Sequence, residues 1–111
     1  MEVAQSQQGP VTILTIKGPI VGGEFGPLDS RVDDCVNAGL VRMVLDISDV
    51  PFIDSEGLDR ILAISSNMGK QGGDARVANP NEVCRDIFKA TGIDSMVQIL
   101  EDRDAAVRTL L

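Results

Sequence analysis

The chain has 111 residues, a formal net charge of −7 and 43% hydrophobic residues, which suits one small globular domain. The acidic balance argues against binding to a nucleic-acid backbone or electrostatic docking on an anionic membrane, and it favours a partner with a basic surface. The chain has no histidine and only two cysteines, which excludes the usual zinc spacings and a cysteine–histidine nucleophile pair.

The N-terminal third predicts a hairpin, a loop and a helix. Residues 2–8 place Val3 among mostly polar residues, as in an edge strand, and residues 11–17 are rich in β-branched residues. A Gly-Pro turn separates these two predicted strands, so we expect them to form a β-hairpin. Glycine and proline interrupt residues 18–27, which indicates a long loop. Residues 28–38 then follow a helical apolar pattern that stops at a glycine.

A near-continuous apolar run over residues 41–47 predicts a strand buried on both faces, as in a parallel sheet covered by helices. We interpret Asp46 and Asp49 as the exit of this strand toward a loop. Pro51 interrupts backbone pairing there and keeps the preceding residue extended.

The loop leads into a second predicted helix. We expect Phe52 and Ile53 to pin the loop to the core. Residues 54–57 read Asp-Ser-Glu-Gly, and the helix after them runs to about Lys70. Its apolar face follows the spacing i, i+3, i+4, i+7, through Leu58, Ile61, Leu62, Ser65 and Met68.

The remainder of the chain alternates strands with helices. The predicted elements are a strand over 74–78, a helix from 79–82 to 91, a strand over 96–100 and a helix over 102–111. Such alternation indicates parallel strands joined by helical crossovers. We therefore expect an α/β fold with a mixed, mostly parallel sheet of four to five strands, about four helices and an N-terminal β-hairpin.

Two side chains can cap the central helix. Asp54 and Ser55 are both good N-caps, because a side-chain oxygen accepts from the unpaired amides of the first turn. The sequence does not distinguish between them. In either case the Ser55 hydroxyl lies near the positive end of a helix, at the carboxyl edge of the sheet, where sites of open α/β sheets tend to lie. The local pattern alone is explained more simply by a cap and a packing glycine at Gly57.

The sequence predicts no enzyme, cofactor or metal site. Ser55 has no histidine to act as its base, and nothing places a lysine beside it. Asp33 and Asp34 lack the loop glycine and ligand spacing of a calcium site, so we interpret them as a solvated helix face.

Cysteine usage and the absence of targeting signals indicate a compartment. Cys35 and Cys84 fall within apolar helical patterns and are expected to be buried thiols. The N-terminus lacks the basic start of a signal peptide, and no apolar run reaches membrane-spanning length. We therefore expect a reduced, cytoplasmic protein without membrane insertion.

Residues 54–58, Asp-Ser-Glu-Gly-Leu, follow an apolar strand and a Phe-Ile pair. They resemble the Asp-Ser-Ser/Thr-Gly-Leu signature of the anti-sigma factor antagonists, which belong to the STAS domain family. Residues 71–77 are similar to the family's Gly-Gly turn and next strand, 87–93 to its Phe-x-x-x-Gly-Leu segment, and 104–106 to the start of its last helix. The resemblance covers about residues 41–111, and it implies a single STAS domain over residues 1–111.

The resemblance implies a switch controlled by phosphorylation. In this family the serine after the aspartate is phosphorylated by a partner ATPase-type serine kinase, which is itself the anti-sigma factor. The unmodified antagonist binds this kinase and the phosphorylated form does not. By position Ser55 is the implied phospho-acceptor, in a monomer or weak dimer. The implied partner-binding residues are Asp54, Ser55, Glu56, Gly57 and Asp59.

Departures from the family pattern leave a second function open. Pro19 and Val21 stand where acidic residues are usual, and Glu56 stands where a small hydroxyl residue is usual. The alternative is a STAS docking subunit of a lipid-transport ABC transporter, or a signalling scaffold, that is not phosphorylated. The intact Asp-Ser pair favours the antagonist, whereas Glu56 and the altered loop favour the docking subunit.

Overall fold

A computed structural model describes residues 1–111 in full. The chain forms the five strands and four α-helices that the sequence predicts, in the predicted order, and one 3-10 turn that it does not predict. The elements are β1 (Glu2–Gln8), β2 (Val11–Lys17), α1 (Gly26–Asn37), β3 (Arg42–Asp49), α2 (Ser55–Lys70), β4 (Asp74–Ala78), α3 (Glu82–Thr91), the 3-10 turn Ile93–Ser95, β5 (Ile99–Leu100) and α4 (Arg103–Arg108).

The strands form one sheet in the order β1-β2-β3-β4-β5. β1 and β2 pair antiparallel, with Glu2 opposite Lys17 and Gln8 opposite Val11. All the other pairs are parallel. The predicted hairpin and the mixed, mostly parallel sheet are therefore confirmed. Because β2, β3 and β4 all run the same way, their carboxyl ends lie along one edge of the sheet.

The helices cover the two faces of the sheet unequally. The larger core cluster joins α1, α2 and α3 to one face, which presents Leu14, Met43 and Leu45 among others. The smaller cluster joins α4 to the other face through Ala106 and Val107. Alternate β3 residues contribute to the two clusters, so the apolar run of this strand is buried on both faces, as predicted.

Two details of the C-terminal prediction are wrong. The last strand is only Ile99–Leu100, because the chain after Gly92 turns through the 3-10 helix and leaves Met96 66% exposed. Val83, predicted on the buried face of its helix, is 52% exposed because that face is formed by Cys84 and Phe88. The predicted buried thiols are confirmed for both cysteines, which are free.

Asp46, which we interpreted as a strand exit, lies inside β3 and is 2% exposed. Its Oδ2 accepts from Arg103 of α4, at 2.7 Å from Nη2 and 3.0 Å from Nε. Its Oδ1 accepts from the Asn79 amide and the Ser48 backbone N–H, both at 3.1 Å. Arg103 also donates to Thr15 Oγ1. The carboxylate therefore connects β2, β3 and the end of β4 to α4.

None of the helices has the combination of length and apolar character that a membrane span requires.

Candidate partner-binding site

The segment between β3 and α2 is fixed on one side by the loop after β2. Ile20 and Ile53 form an isolated parallel bridge. The Ile20 N–H donates to the Phe52 carbonyl and the Asp54 N–H donates to the Ile20 carbonyl, each at 3.2 Å. Glycine and proline at residues 18–27 thus allow the chain to turn from β2 and meet the start of α2.

Asp54 is the N-cap of α2, which settles the choice that the sequence left open. Its Oδ1 accepts from the Gly57 N–H at 2.7 Å, as expected of a cap. Its Oδ2 accepts from the Gly22 N–H at 3.0 Å, so the same carboxylate ties the β2–α1 loop to the helix. Hydrogen bonds from the backbone of Gly22 and then Gly57 hold the pKa of Asp54 below its ordinary value.

We predict that Asp54→Asn lowers the melting temperature at neutral pH, because the amide replaces an acceptor that bonds two backbone N–H groups. A lowered native pKa means that the stabilisation is present above the unfolded pKa, about 3.9, and is lost as the pH falls through the native pKa. Thermal melts of the two proteins should therefore converge in acid. Asp59→Asn, which removes an exposed carboxylate from the same helix, controls for net charge. A difference that does not vary with pH would contradict this role of the charge.

Ser55 is the first residue of α2 and is exposed. Glu56 and Asp59 are also exposed, whereas Gly57 is buried. An accessible hydroxyl therefore begins a 16-residue helix at its positive end, with exposed acids one and four residues after it.

Gly57 is a packing glycine because the loop after β2 crosses directly over it. A Cβ built on Gly57 would overlap the Ile20 carbonyl oxygen and would lie 2.7 Å from Ile53 Cγ2. Gly22 lies close to the end of a flexible side chain instead, because a Cβ there would overlap the Glu56 carboxylate. The unusual acid at position 56 therefore lies against a residue of the unusual loop.

A shallow depression continues the acidic surface along α2. Its lining includes Phe25 and Glu56. The Arg60 guanidinium lies 4.8 Å from the Phe25 ring centroid and pairs with Asp29 at 3.1 Å. Arg60, the one cationic side chain that lines the depression, is therefore already engaged in contacts within the domain.

The start of α3 holds the segment between β3 and α2 on its other side. The Asn81 side-chain amide donates to the Val50 and Pro51 carbonyls at 3.1 and 3.2 Å, and its Oδ1 caps α3 by accepting from Cys84. Phe52, which we expected to pin the loop to the core, instead points outward and is 46% exposed. Only its neighbour Ile53 is buried.

The sequence identified the residues of the helix start but not the backbone that positions them. Ile20 and Gly22 lie in a segment whose sequence shows only glycines, prolines and a lack of the usual acids, and Asn81 falls within the predicted helix start at residues 79–82. The one signal of this surrounding backbone in the sequence was Gly57, because a glycine in the first turn of a helix indicates a crowded neighbour.

A model of the STAS domain family matches residues 2–106. The chain belongs to the STAS domain family. A relative from Thermotoga maritima, provisionally named an anti-sigma factor antagonist, is 32% identical to this STAS domain over 69 residues, which are 62% of the chain and 61% of the relative. The match thus spans less than two thirds of that relative's length.

Solved structures share the fold of this STAS domain. A crystal structure of a provisionally named anti-sigma factor antagonist from Thermotoga maritima matches with a TM-score of 0.86 and 25% identity, over 97% of this chain and 93% of the other. The Bacillus cell fate determinant SpoIIAA, solved in its phosphorylated form, matches with a TM-score of 0.70 and 14% identity, over 96% and 98% of the two chains. At that identity the second likeness shows the fold alone.

Proposed function

We propose that residues 1–111 form a single cytoplasmic STAS domain that acts as an anti-sigma factor antagonist. It binds an ATPase-type anti-sigma serine kinase through the surface at the start of α2, and phosphorylation of Ser55 ends this binding. The observation that carries the proposal is an exposed serine at the first position of α2, directly after the capping aspartate. The names of the relatives and the phosphorylated state of SpoIIAA support it.

Ser55 is the most suitable acceptor among the nearby hydroxyls. Ser48 lies within β3, Ser65 is partly buried and Ser66 lies in the middle of α2, so a kinase would have to reach a regular strand or helical backbone at these positions. At the start of the helix a phosphate gains from the helix dipole. Its addition is therefore compatible with an unchanged fold.

The partner-binding residues act in two ways. Glu56 and Asp59 are exposed and contact the kinase directly together with Ser55. Asp54 acts through position, because its two carboxylate oxygens accept from Gly22 and Gly57. Gly57 contributes by allowing the loop after β2 to approach the helix.

The phosphate acts at the interface. It adds up to about two negative charges beside Glu56 and Asp59, and in a closed interface this group must be desolvated or displaces the partner. A loss of about 3 kcal/mol weakens binding roughly a hundredfold. The domain is then a binding switch with no catalytic step of its own.

The test is phosphorylation by the histidine-kinase-like ATPase encoded nearest to this chain, followed by mass spectrometry and a binding measurement. We expect one phosphate, its loss in Ser55→Ala, its retention in the matched control Ser66→Ala, and about a hundredfold weaker kinase binding by the phosphorylated protein. If the active kinase leaves the protein unmodified, the switch is refuted. The constitutive docking subunit of an ABC transporter or scaffold then becomes the better explanation.

A further inference from the structure

Phe52 and Val83 are exposed apolar side chains on two segments that are hydrogen-bonded to each other, the loop before α2 and the start of α3. The four exposed large apolar residues of the chain are Phe52, Val83, Met96 and Leu111, exposed by 46%, 52%, 66% and 74%. Asn81 joins the segments of Phe52 and Val83, because it precedes Val83 by two residues and donates to the carbonyls of the loop that carries Phe52. Pro51, in the same loop, is also exposed.

The backbone that presents Phe52 is fixed from both sides. Its carbonyl accepts from the Ile20 N–H at 3.2 Å. The Pro51 carbonyl accepts from Asn81 at 3.2 Å, and the following residue, Ile53, is 3% exposed in the core. An aromatic side chain on a backbone that is already ordered loses little conformational freedom when a partner covers it.

Phe52 precedes Ser55 by three residues, and exposed carboxylates begin the two helices that adjoin its loop. Glu56 and Glu82 are exposed in the first turns of α2 and α3. An apolar centre within a charged rim is the usual arrangement of an interface hot spot, and aromatic residues are enriched there. The rim also decides the occupant: a second copy would bring its own carboxylates and a net charge of −7 against this surface.

We propose that Phe52, flanked by Pro51 and Val83, is the apolar anchor by which the domain binds the anti-sigma kinase. The occupant is an apolar pocket on the kinase bordered by lysine or arginine side chains. The inference rests on the proposed function. Two parts of one surface then have different roles: the Ser55 region supplies the charge-dependent control, and Phe52 supplies affinity that phosphorylation does not alter.

The experiment measures the affinity of the purified nearest-encoded kinase for three variants at low and at high salt. Phe52→Ala should weaken binding at least tenfold with the same salt dependence as the wild type, and Phe52→Leu should recover part of the loss. Met96→Ala, which truncates a more exposed apolar residue next to the 3-10 turn, should bind normally. Circular dichroism melts verify that Phe52→Ala remains folded.

The outcomes separate this inference from the proposed function. A phosphomimetic Ser55→Asp that weakens binding, together with Phe52→Ala within twofold of the wild type, overturns the anchor alone. Weakening by Phe52→Ala, with unchanged binding of the wild type after phosphorylation at Ser55, supports the anchor and refutes the switch. Self-association of the wild type in sedimentation that Phe52→Ala abolishes identifies a second copy as the occupant and overturns the inference.

Discussion

Gly57→Ala lowers the free energy of unfolding by about 3 kcal/mol, because the new methyl group overlaps the Ile20 carbonyl oxygen, a backbone atom that no side-chain rotation can move. The N–H and carbonyl of Ile20 are both hydrogen-bonded to the β3–α2 segment. Ile53 Cγ2, 2.7 Å from the same position, belongs to the core. Relief therefore requires the loop to move away from α2.

The same helix contains a matched control. Gly69 lies near the end of α2, and a Cβ built there meets nothing within 4 Å. Gly69→Ala should stabilise the domain by roughly 1 kcal/mol, because alanine favours the helix over glycine. Urea unfolding measures both variants, and the opposite signs are the test. Equal effects at the two positions would contradict the proposed close packing of the loop on the first turn.

Gly57→Ala also has a functional consequence. Displacing the Ile20 carbonyl weakens the two hydrogen bonds that join it and its N–H to the β3–α2 segment. We therefore expect the kinase binding of Gly57→Ala to weaken by more than its loss of folded protein explains, while Gly69→Ala binds like the wild type. A Gly57→Ala protein that is destabilised but binds normally would separate the packing role of this glycine from the site.

The fold was predictable because local signals and burial agree along most of the chain. The Gly-Pro turn between β1 and β2, the doubly buried run of β3 and the alternation after it define the hairpin and the parallel sheet. The sheet's last strand was not predictable at its true length. Residues 96–100 are apolar enough for a strand, but the turn at Gly92 leads into the 3-10 helix and leaves Met96 in solvent.

The candidate site was predictable at its helix and not at its surroundings. Residue types identified Asp54 and Ser55 as candidate caps, but the second bond of Asp54, from the Gly22 N–H, comes from 32 residues away in the chain. Phe52 and Ile53 have similar apolarity, and only the bridge from Ile53 to Ile20 decides which of them is buried. Contacts of this range leave no local pattern in a single sequence.

Asp46→Asn should lower the free energy of unfolding by about 2 kcal/mol, because an amide replaces the buried carboxylate that accepts hydrogen bonds from Arg103, Asn79 and Ser48. The control is Asp29→Asn, which breaks the more exposed pair with Arg60 and should cost at most about 1 kcal/mol. Arg103→Met tests the cause: in that background Asp46→Asn should cost clearly less. Equal costs in both backgrounds would show that the ion pair is not the source.

The pH dependence of the same variant follows from the sign of the pKa shift. Burial raises the pKa of Asp46, but hydrogen bonds from Arg103, Asn79 and Ser48 outweigh it and hold the pKa below the ordinary value. The stabilisation is therefore present above the unfolded pKa, about 3.9, and is lost as the pH falls through the native pKa. Unfolding curves of the wild type and Asp46→Asn should approach each other in acid, and a gap that stays constant would mean that the charge of Asp46 does not anchor α4 to the sheet.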